Sequence, residues 1–102
     1  MQIIKTLSHQ IKEELHDAEK YAKLAIEHKA DHPALAGAYY RLANEELEHM
    51  NILHTQAVQM IDKAKNEKVV PPVMFELWAW KHEEMIEEEK GVRLLLDMYS
   101  RK

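Results

Sequence analysis

Residues 45–50 read EELEHM, which places the carboxylate of Glu46 three residues before the imidazole of His49. In an α-helix, residues three apart lie on the same face, so these two side chains point in one direction. The surrounding sequence is amphipathic, and the packing of the chain depends on whether this pair faces water or the core. Burying a carboxylate without a compensating partner is costly, so a core position would require a nearby positive charge.

The few helix-breaking residues divide the chain into three segments. Pro33 suits the first turn of a helix, where no amide donor is needed, and Asp31 can cap that helix. Pro71 and Pro72 mark a second helix start. The sequence has little of the alternation of β-branched and polar residues that would indicate strands. We therefore predict an all-α, antiparallel up-down-up three-helix bundle. The predicted helices are about 2–29, 32–66 and 71–100.

Composition limits the possible functions. The 102 residues include 14 Lys and Arg against 18 Asp and Glu, a net charge of −4, and no cysteine. We expect a single domain over 1–102 and no nucleic-acid partner, because the chain lacks a basic footprint. Disulfides and thiolate metal ligands are excluded. With no apolar run of roughly 20 residues and no signal-peptide core at the start, we expect a cytoplasmic protein without a membrane partner.

A step alternating between three and four residues, as in antiparallel bundles, predicts one core-facing seam for each helix. The first seam contains Ile4, Leu7, Ile11, Glu14, Ala18, Tyr21, Ala25 and His28. The second contains Leu35, Tyr39, Leu42, Glu46, His49, Leu53, Gln56 and Met60. The third contains Val73, Leu77, Trp80, Glu84, Glu87, Gly91, Leu94 and Met98. Each seam is mostly apolar towards its ends and has acidic residues near its middle.

The acidic positions of the three seams lie at similar heights in the predicted bundle. Short turns make neighbouring helices antiparallel, so Glu14 should meet Glu46 and His49 across the first turn. Glu84 and Glu87 match this level less closely, within about one or two helical turns. Carboxylate oxygen with imidazole nitrogen suits iron, manganese or zinc, whose charge would offset the buried acids. The seams therefore predict a metal site formed by Glu14, Glu46, His49, Glu84 and Glu87.

Two segments give a more specific resemblance. EELHDAEKYAKLAIEHK at 13–29, followed by YYRLANEELEHMNILH at 39–54, resembles the first helix pair of the ferritin-like superfamily, in particular the rubrerythrin type. The resemblance implies that Glu14 is the first-helix metal ligand and that Glu46 and His49 are the second-helix ligands. In WKHEEMIEEEK at 80–90, Glu84 and Glu87 look like the Glu-x-x-Glu that opens the third helix of rubrerythrins. In that segment, Glu83 or Glu88 could take the place of Glu84 or Glu87.

The resemblance implies a two-iron site, with manganese or zinc as alternatives, that oxidises Fe(II) or reduces oxygen or peroxide. The chain ends after the third helix, so the fourth helix and its Glu-x-x-His are missing. We expect a homo-oligomer, a dimer or larger, in which a second copy completes the site, as in the encapsulated half-length ferritins that this arrangement resembles. Without cysteine-bound iron, a redox cycle would need an external electron donor. The alternative is a metal-free bundle that acts as an interaction or scaffold module.

The remaining polar and aromatic residues have simpler interpretations. Tyr21 and Tyr39 lie on the seams and are predicted to be core aromatics. Trp78 and Trp80 point in different directions, and one of them is a candidate for a subunit interface. The other histidines lie near turns or off the seams, and we predict surface or capping positions for them. These are His9, His16, His28, His32, His54 and His82.

Overall fold

The chain forms three α-helices and, in the residues described, no strand. The structure is a computed structural model, and it describes residues 2–68 and 70–101. The helices are α1 (Gln2–His28), α2 (Pro33–Glu67) and α3 (Pro72–Ser100). α1 packs against both α2 and α3, whereas α2 and α3 touch each other little. The all-α three-helix bundle is therefore confirmed, and each helix end lies within one residue of its predicted position.

Prolines begin the second and third helices, as predicted. Pro33 and Pro72 each stand in a first turn, where the missing amide hydrogen costs nothing. The predicted cap by Asp31 is wrong, because His32 occupies the capping position and makes no side-chain hydrogen bond there. The Asp31 carboxylate lies 3.4 Å from Nδ1 of His28 and 3.9 Å from Nε2 of His32. It therefore pairs with the turn histidines and not with the amide groups of α2.

The interface between α1 and α2 is built largely from small side chains. α1 buries Ile4, Leu7, Ile11, Leu15, Ala18, Ala22 and Ala25, which follows the predicted seam closely. α2 buries Ala36, Ala43, Leu47, Met50, Ala57 and Ala64. Alanines on both helices allow the two backbones to approach each other closely. The buried face of α2 is turned by about one residue from the predicted seam, so Leu35 and Leu42 are exposed.

The predicted seam of α3 is wrong. The residues that α3 buries are Trp78, Val92 and Leu96, with Met85 and Leu95 packed beside the core. Its predicted seam faces outwards, with exposed apolar side chains at Val73, Leu77, Trp80, Leu94 and Met98. α3 has apolar residues on two faces, and a regular heptad spacing does not identify which face meets α1.

The C-terminal ends of α1 and α3 are tied together. The ammonium group of Lys29 donates to the backbone carbonyls of Tyr99 and Arg101 and lies 5.2 Å from the centre of the Tyr99 ring. Tyr99 also stacks on Tyr40 of α2, with ring centres 4.8 Å apart. A cation near unsatisfied carbonyl groups at a helix C-terminus is favourable. α3 therefore runs parallel to α1 and is anchored at this end of the bundle.

Candidate metal centre

Glu14, Glu46 and His49 come together midway along α1 and α2. Each can offer one ligand atom such that all three atoms lie within 4.8 Å of one another. Nδ1 of His49 is 3.6 Å from Oε2 of Glu14 and 3.9 Å from Oε2 of Glu46. The tight turn between α1 and α2 brings the middles of the two helices to one level, as the sequence predicted. These three side chains form what we call the carboxylate cluster.

The carboxylate cluster lies at the edge of the core and not inside it. The side chains of Glu14 and Glu46 are 26% and 19% exposed, and that of His49 is 55% exposed. The rotation of α2 explains this placement, because Leu47 and Met50 take the fully buried positions beside the cluster. The carboxylates are thus partly shielded from water, while the imidazole remains accessible from solvent.

While Glu46 is ionised, one oxygen of Glu14 has no hydrogen-bond donor. Oε2 of Glu14 is enclosed and has no hydrogen-bond partner among residues 2–68 and 70–101. His49 Nδ1, at 3.6 Å, is beyond hydrogen-bond distance. In the same ranges, no lysine or arginine pairs with Glu14 or Glu46. An enclosed acceptor without a donor costs about 1 to 3 kcal/mol, a cost that a bound cation would remove.

Glu14 changes the protonation of Glu46. The pKa of Glu46 is raised to about 7, chiefly because a proton on Glu46 can be shared with Glu14 in a hydrogen bond. Burial and the negative charges of Glu14 and Asp17 act in the same direction, whereas His49 opposes them. Near neutral pH, Glu46 therefore holds a proton for part of the time. A metal ion binding here would displace that proton.

The structure does not bring Glu84 or Glu87 to this cluster. Both are exposed on the outer face of α3, and Oε1 of Glu87 lies 3.6 Å from Nζ of Lys90. Of their two alternatives, Glu83 is also exposed, and Glu88 is half-buried. The single layer of four carboxylates and one imidazole that the seams predicted is thus reduced to three groups within one chain. The reason is the orientation of α3, which turns its predicted seam towards solvent.

Glu88 faces a different side of α1 from the one that carries Glu14. Burial and the nearby charge of Glu19 raise the pKa of Glu88, while His16 and Lys12 oppose this shift. Lys12, His16 and Glu88 line a shared surface depression. Lys12 and His16 are each two residues from Glu14 and therefore lie far round the helix from it. Glu88 is thus placed to interact with this polar side of α1 and not with the carboxylate cluster.

Sequence reasoning missed the position of His54. It was predicted to be a surface or capping residue, but it is half-buried and stacks on His82 of α3. The signal that could have found it is its spacing, because His54 follows Leu47 by seven residues and Met50 by four. That spacing places His54 on the buried face of α2 once the rotation of α2 is known. Tyr21 and Tyr39, predicted to be core aromatics, are half-buried and stack with ring centres 6.0 Å apart.

No protein-family model, curated protein or solved structure matches this chain. The resemblance to ferritin-like proteins therefore stays a prediction that rests on the residues of the first two helices. Within residues 2–68 and 70–101, no helix is both long enough and apolar enough to cross a membrane.

Proposed function

We propose that this protein binds a divalent metal ion through Glu14, Glu46 and His49, and that this metal is iron. The observation that carries the proposal is the convergence of two carboxylates and one imidazole from two helices within 4.8 Å. The enclosed Glu14 oxygen without a donor supports it, because a cation would satisfy that atom. This donor set also suits manganese and zinc, so the identity of the metal is part of the test.

The proposed activity is oxidation of Fe(II) or reduction of oxygen or peroxide. Glu14, Glu46 and His49 would hold the metal, and iron bound there would supply the redox chemistry. Glu14 and Glu46 would carry the negative charge that holds the ion, and Glu46 would release its proton on binding. An external electron donor would be required for turnover, because the chain has no cysteine to bind an iron centre of its own.

We further propose that a second copy completes the site. Leu42 lies four residues before Glu46, and Leu35 lies seven before Leu42, so both share a face of α2 with the carboxylate cluster. Both leucines are exposed, which leaves an apolar stripe in line with the metal ligands. A two-fold partner seated on this stripe would bring its own carboxylates and imidazole towards the first set. The pair would then supply enough ligands for two metal ions.

The test is an anaerobic titration of chelator-stripped protein with Fe(II), read together with the mass in solution by light scattering. We expect saturation near one iron per chain in a dimer, and no binding in the double variant Glu46→Ala/His49→Ala. The matched control is Glu48→Ala/His32→Ala, which removes an exposed carboxylate and an exposed imidazole and should bind iron normally. Unchanged iron uptake in Glu46→Ala/His49→Ala would overturn the assignment.

A second candidate function is that of a metal-free interaction or scaffold module. It is favoured by the raised pKa of Glu46, because a proton shared with Glu14 offsets the repulsion between the carboxylates without any metal. The exposed apolar residues of α2 and α3 would then serve a protein partner. The same titration separates the two functions, since an absence of iron binding above background in a strict monomer would favour the scaffold.

A further inference from the structure

The outer face of α3 carries a continuous stripe of exposed residues with heptad spacing. Their positions alternate between steps of four and three residues, the spacing that brings one face of a helix against a second helix. α3 contacts α1 through its other side, so the stripe is accessible to another molecule. We call it the outer stripe, and its exposed residues are Val73, Leu77, Trp80, Glu84, Glu87, Gly91, Leu94 and Met98.

The outer stripe matches itself when its direction is reversed. A two-fold axis through the midpoint between Glu84 and Glu87 would pair two such helices in antiparallel fashion, and each residue would meet one from the second copy that is equally far from the midpoint. Apolar side chains then meet apolar side chains towards both ends of the contact. The resulting pairs are Val73 with Met98, Leu77 with Leu94, Trp80 with Gly91, and Glu84 with Glu87.

Trp80 and Gly91 complement each other in size. The indole of Trp80 is large, and the residue is 57% exposed. A Cβ atom added at Gly91 would find no tertiary contact within 4 Å in the described chain, so there is open space above this glycine. In the antiparallel pair, Trp80 of each copy would fill the space above Gly91 of the second copy. The contact would use a glycine that otherwise only weakens an exposed helix.

Charges beside the outer stripe favour the antiparallel direction. Residues that flank such a stripe form ion pairs between helices and select their orientation. In the antiparallel pair, Glu83 lies beside Lys90 of the second copy, and Lys81 lies beside Glu88 of the second copy. A parallel pair would instead bring Glu83 beside Glu88 and set Trp80 against its own counterpart. Opposite charges therefore meet only when the two helices are antiparallel.

Like charges oppose the contact at two levels. Glu84 and Glu87 of both copies meet at its centre, and Glu76 lies near Asp97 of the second copy towards each end. The carboxylate of Asp97 is already paired with Arg101, with 2.6 Å between Oδ2 and Nη2, so the main cost arises at the centre. Solvent and salt screen exposed charges of this kind. The central glutamates should therefore weaken the pairing without preventing it.

We propose that two copies of this chain pair through the outer stripes of their α3 helices, antiparallel and about a two-fold axis between Glu84 and Glu87. The contact is separate from the stripe of Leu35 and Leu42 on α2 and contains no residue of the carboxylate cluster. It therefore does not depend on metal binding. A chain that uses both contacts would form a larger assembly.

Sedimentation equilibrium in EDTA measures this pairing in the variant Leu42→Glu, which blocks the stripe on α2. We expect a reversible equilibrium between monomer and dimer, with a blue shift of tryptophan emission on pairing because Trp80 leaves water. Adding Glu84→Gln/Glu87→Gln should tighten the dimer by about 10-fold or more, since it removes like charges at close range. The matched control Glu27→Gln/Glu48→Gln removes two exposed glutamates of α1 and α2 and should leave the equilibrium unchanged.

Exchanging the large and the small residue gives a test that misfolding cannot imitate. Gly91→Trp places two tryptophans in one layer and should weaken the dimer by about 10- to 100-fold, because overpacking a contact is costly. Trp80→Ala/Gly91→Trp again sets a large side chain against a small one and should recover most of the association. Both positions are exposed in the single chain, so circular dichroism should show full helix content in each variant.

Single cysteines test the direction of pairing, because the chain has none of its own. A mixture of the Leu77→Cys and Leu94→Cys proteins should form a disulfide-linked pair on mild oxidation, whereas neither protein should do so alone. In the antiparallel pair, the two copies of residue 77 are about 25 Å apart at 1.5 Å per residue, well beyond disulfide reach. Cross-linking of Leu77→Cys with itself would indicate a parallel pair and would overturn the proposal.

The proposal is also wrong if Glu84→Gln/Glu87→Gln remains a monomer, or if Trp80→Ala/Gly91→Trp associates no better than Gly91→Trp. A monomer in every variant would leave the outer stripe to a different protein partner. Without the Leu42→Glu change, none of the substitutions in α3 should alter iron uptake per chain. Failure of this contact is therefore distinguishable from failure of the carboxylate cluster.

Discussion

At the scale of single residues, Glu46 shows how one side chain can link protonation, stability and metal binding. Its carboxyl group lies beside Glu14, and its pKa is raised from 4.5 to about 7. Because this pKa is higher in the folded chain than in the unfolded chain, folding is accompanied by proton uptake at pH values between the two pKa values. The resulting stabilisation is present in full below about pH 4.5 and is lost as the pH rises through about 7.

This linkage predicts the behaviour of Glu46→Gln in the metal-free protein. Glutamine is neutral at every pH, so the variant should gain stability relative to the wild type as the pH rises through this window. We expect a gain on the order of 1 kcal/mol above pH 7, less than the full pKa shift would imply, because solvent screens a partly exposed group. Urea unfolding in EDTA at stepped pH measures it. Glu48→Gln, an exposed control, should show no such gain; a pH-independent difference for Glu46→Gln would contradict the prediction.

At the scale of elements, α3 has an inner and an outer apolar face. Leu96 lies on the inner face, and Leu94, two residues earlier, lies on the outer face. Leu96 is 6% exposed against α1 and α2, whereas Leu94 is 57% exposed on the outer face. The outer face is the one that heptad spacing predicted to be buried. Because both residues are leucines in one helix, truncating each to alanine changes helix propensity equally and isolates the effect of burial.

We therefore expect Leu96→Ala and Leu94→Ala to differ strongly in stability. Loss of a buried leucine side chain typically costs about 2 to 5 kcal/mol, since it removes apolar contacts and leaves a cavity. Leu94→Ala should stay within about 0.5 kcal/mol of the wild type. The measurement is urea unfolding of metal-free protein at a concentration where light scattering shows a monomer. A larger loss for Leu94→Ala than for Leu96→Ala would mean that α3 packs with its other face inwards.

At the scale of the whole molecule, the attachment of α3 is uneven along its length. The C-terminal half is held by Val92 and Leu96 in the core and by Tyr99, which contacts both Lys29 and Tyr40. The N-terminal half borders an open cavity between the three helices, and Trp78 is the only residue that it buries among those described. Regions with few buried contacts open more readily than the rest of a fold.

Hydrogen exchange should reveal this difference. We expect backbone amides in 76–84 to exchange faster than those in 90–98, while amides of α1 around Ala18 and Ala22, in the centre of the core, exchange most slowly. Exchange at neutral pH followed by mass spectrometry of peptides measures all three regions in one experiment. Uniform protection along α3 would show that the cavity does not weaken its N-terminal half.

The helices and the carboxylate cluster could be predicted from the sequence alone, because local chemistry decides both. Prolines and short turns define where α2 and α3 begin, and a tight connection brings positions equally far from it to the same height. The meeting of Glu14 with Glu46 and His49 follows from these two facts. No knowledge of how α3 packs is needed for it.

Only the tertiary structure decided which faces of α2 and α3 are buried. Successive residues of a helix are about 100° apart, so a shift of one residue exchanges exposed and buried positions when apolar side chains surround the helix. α3 carries apolar residues on two faces, and its contact with α1 selects the face of Val92 and Leu96. That choice turns Glu84 and Glu87 towards solvent. The rotation of α2 about its axis brings His54 against His82. Packing between helices determines this rotation, and the periodicity within one helix does not.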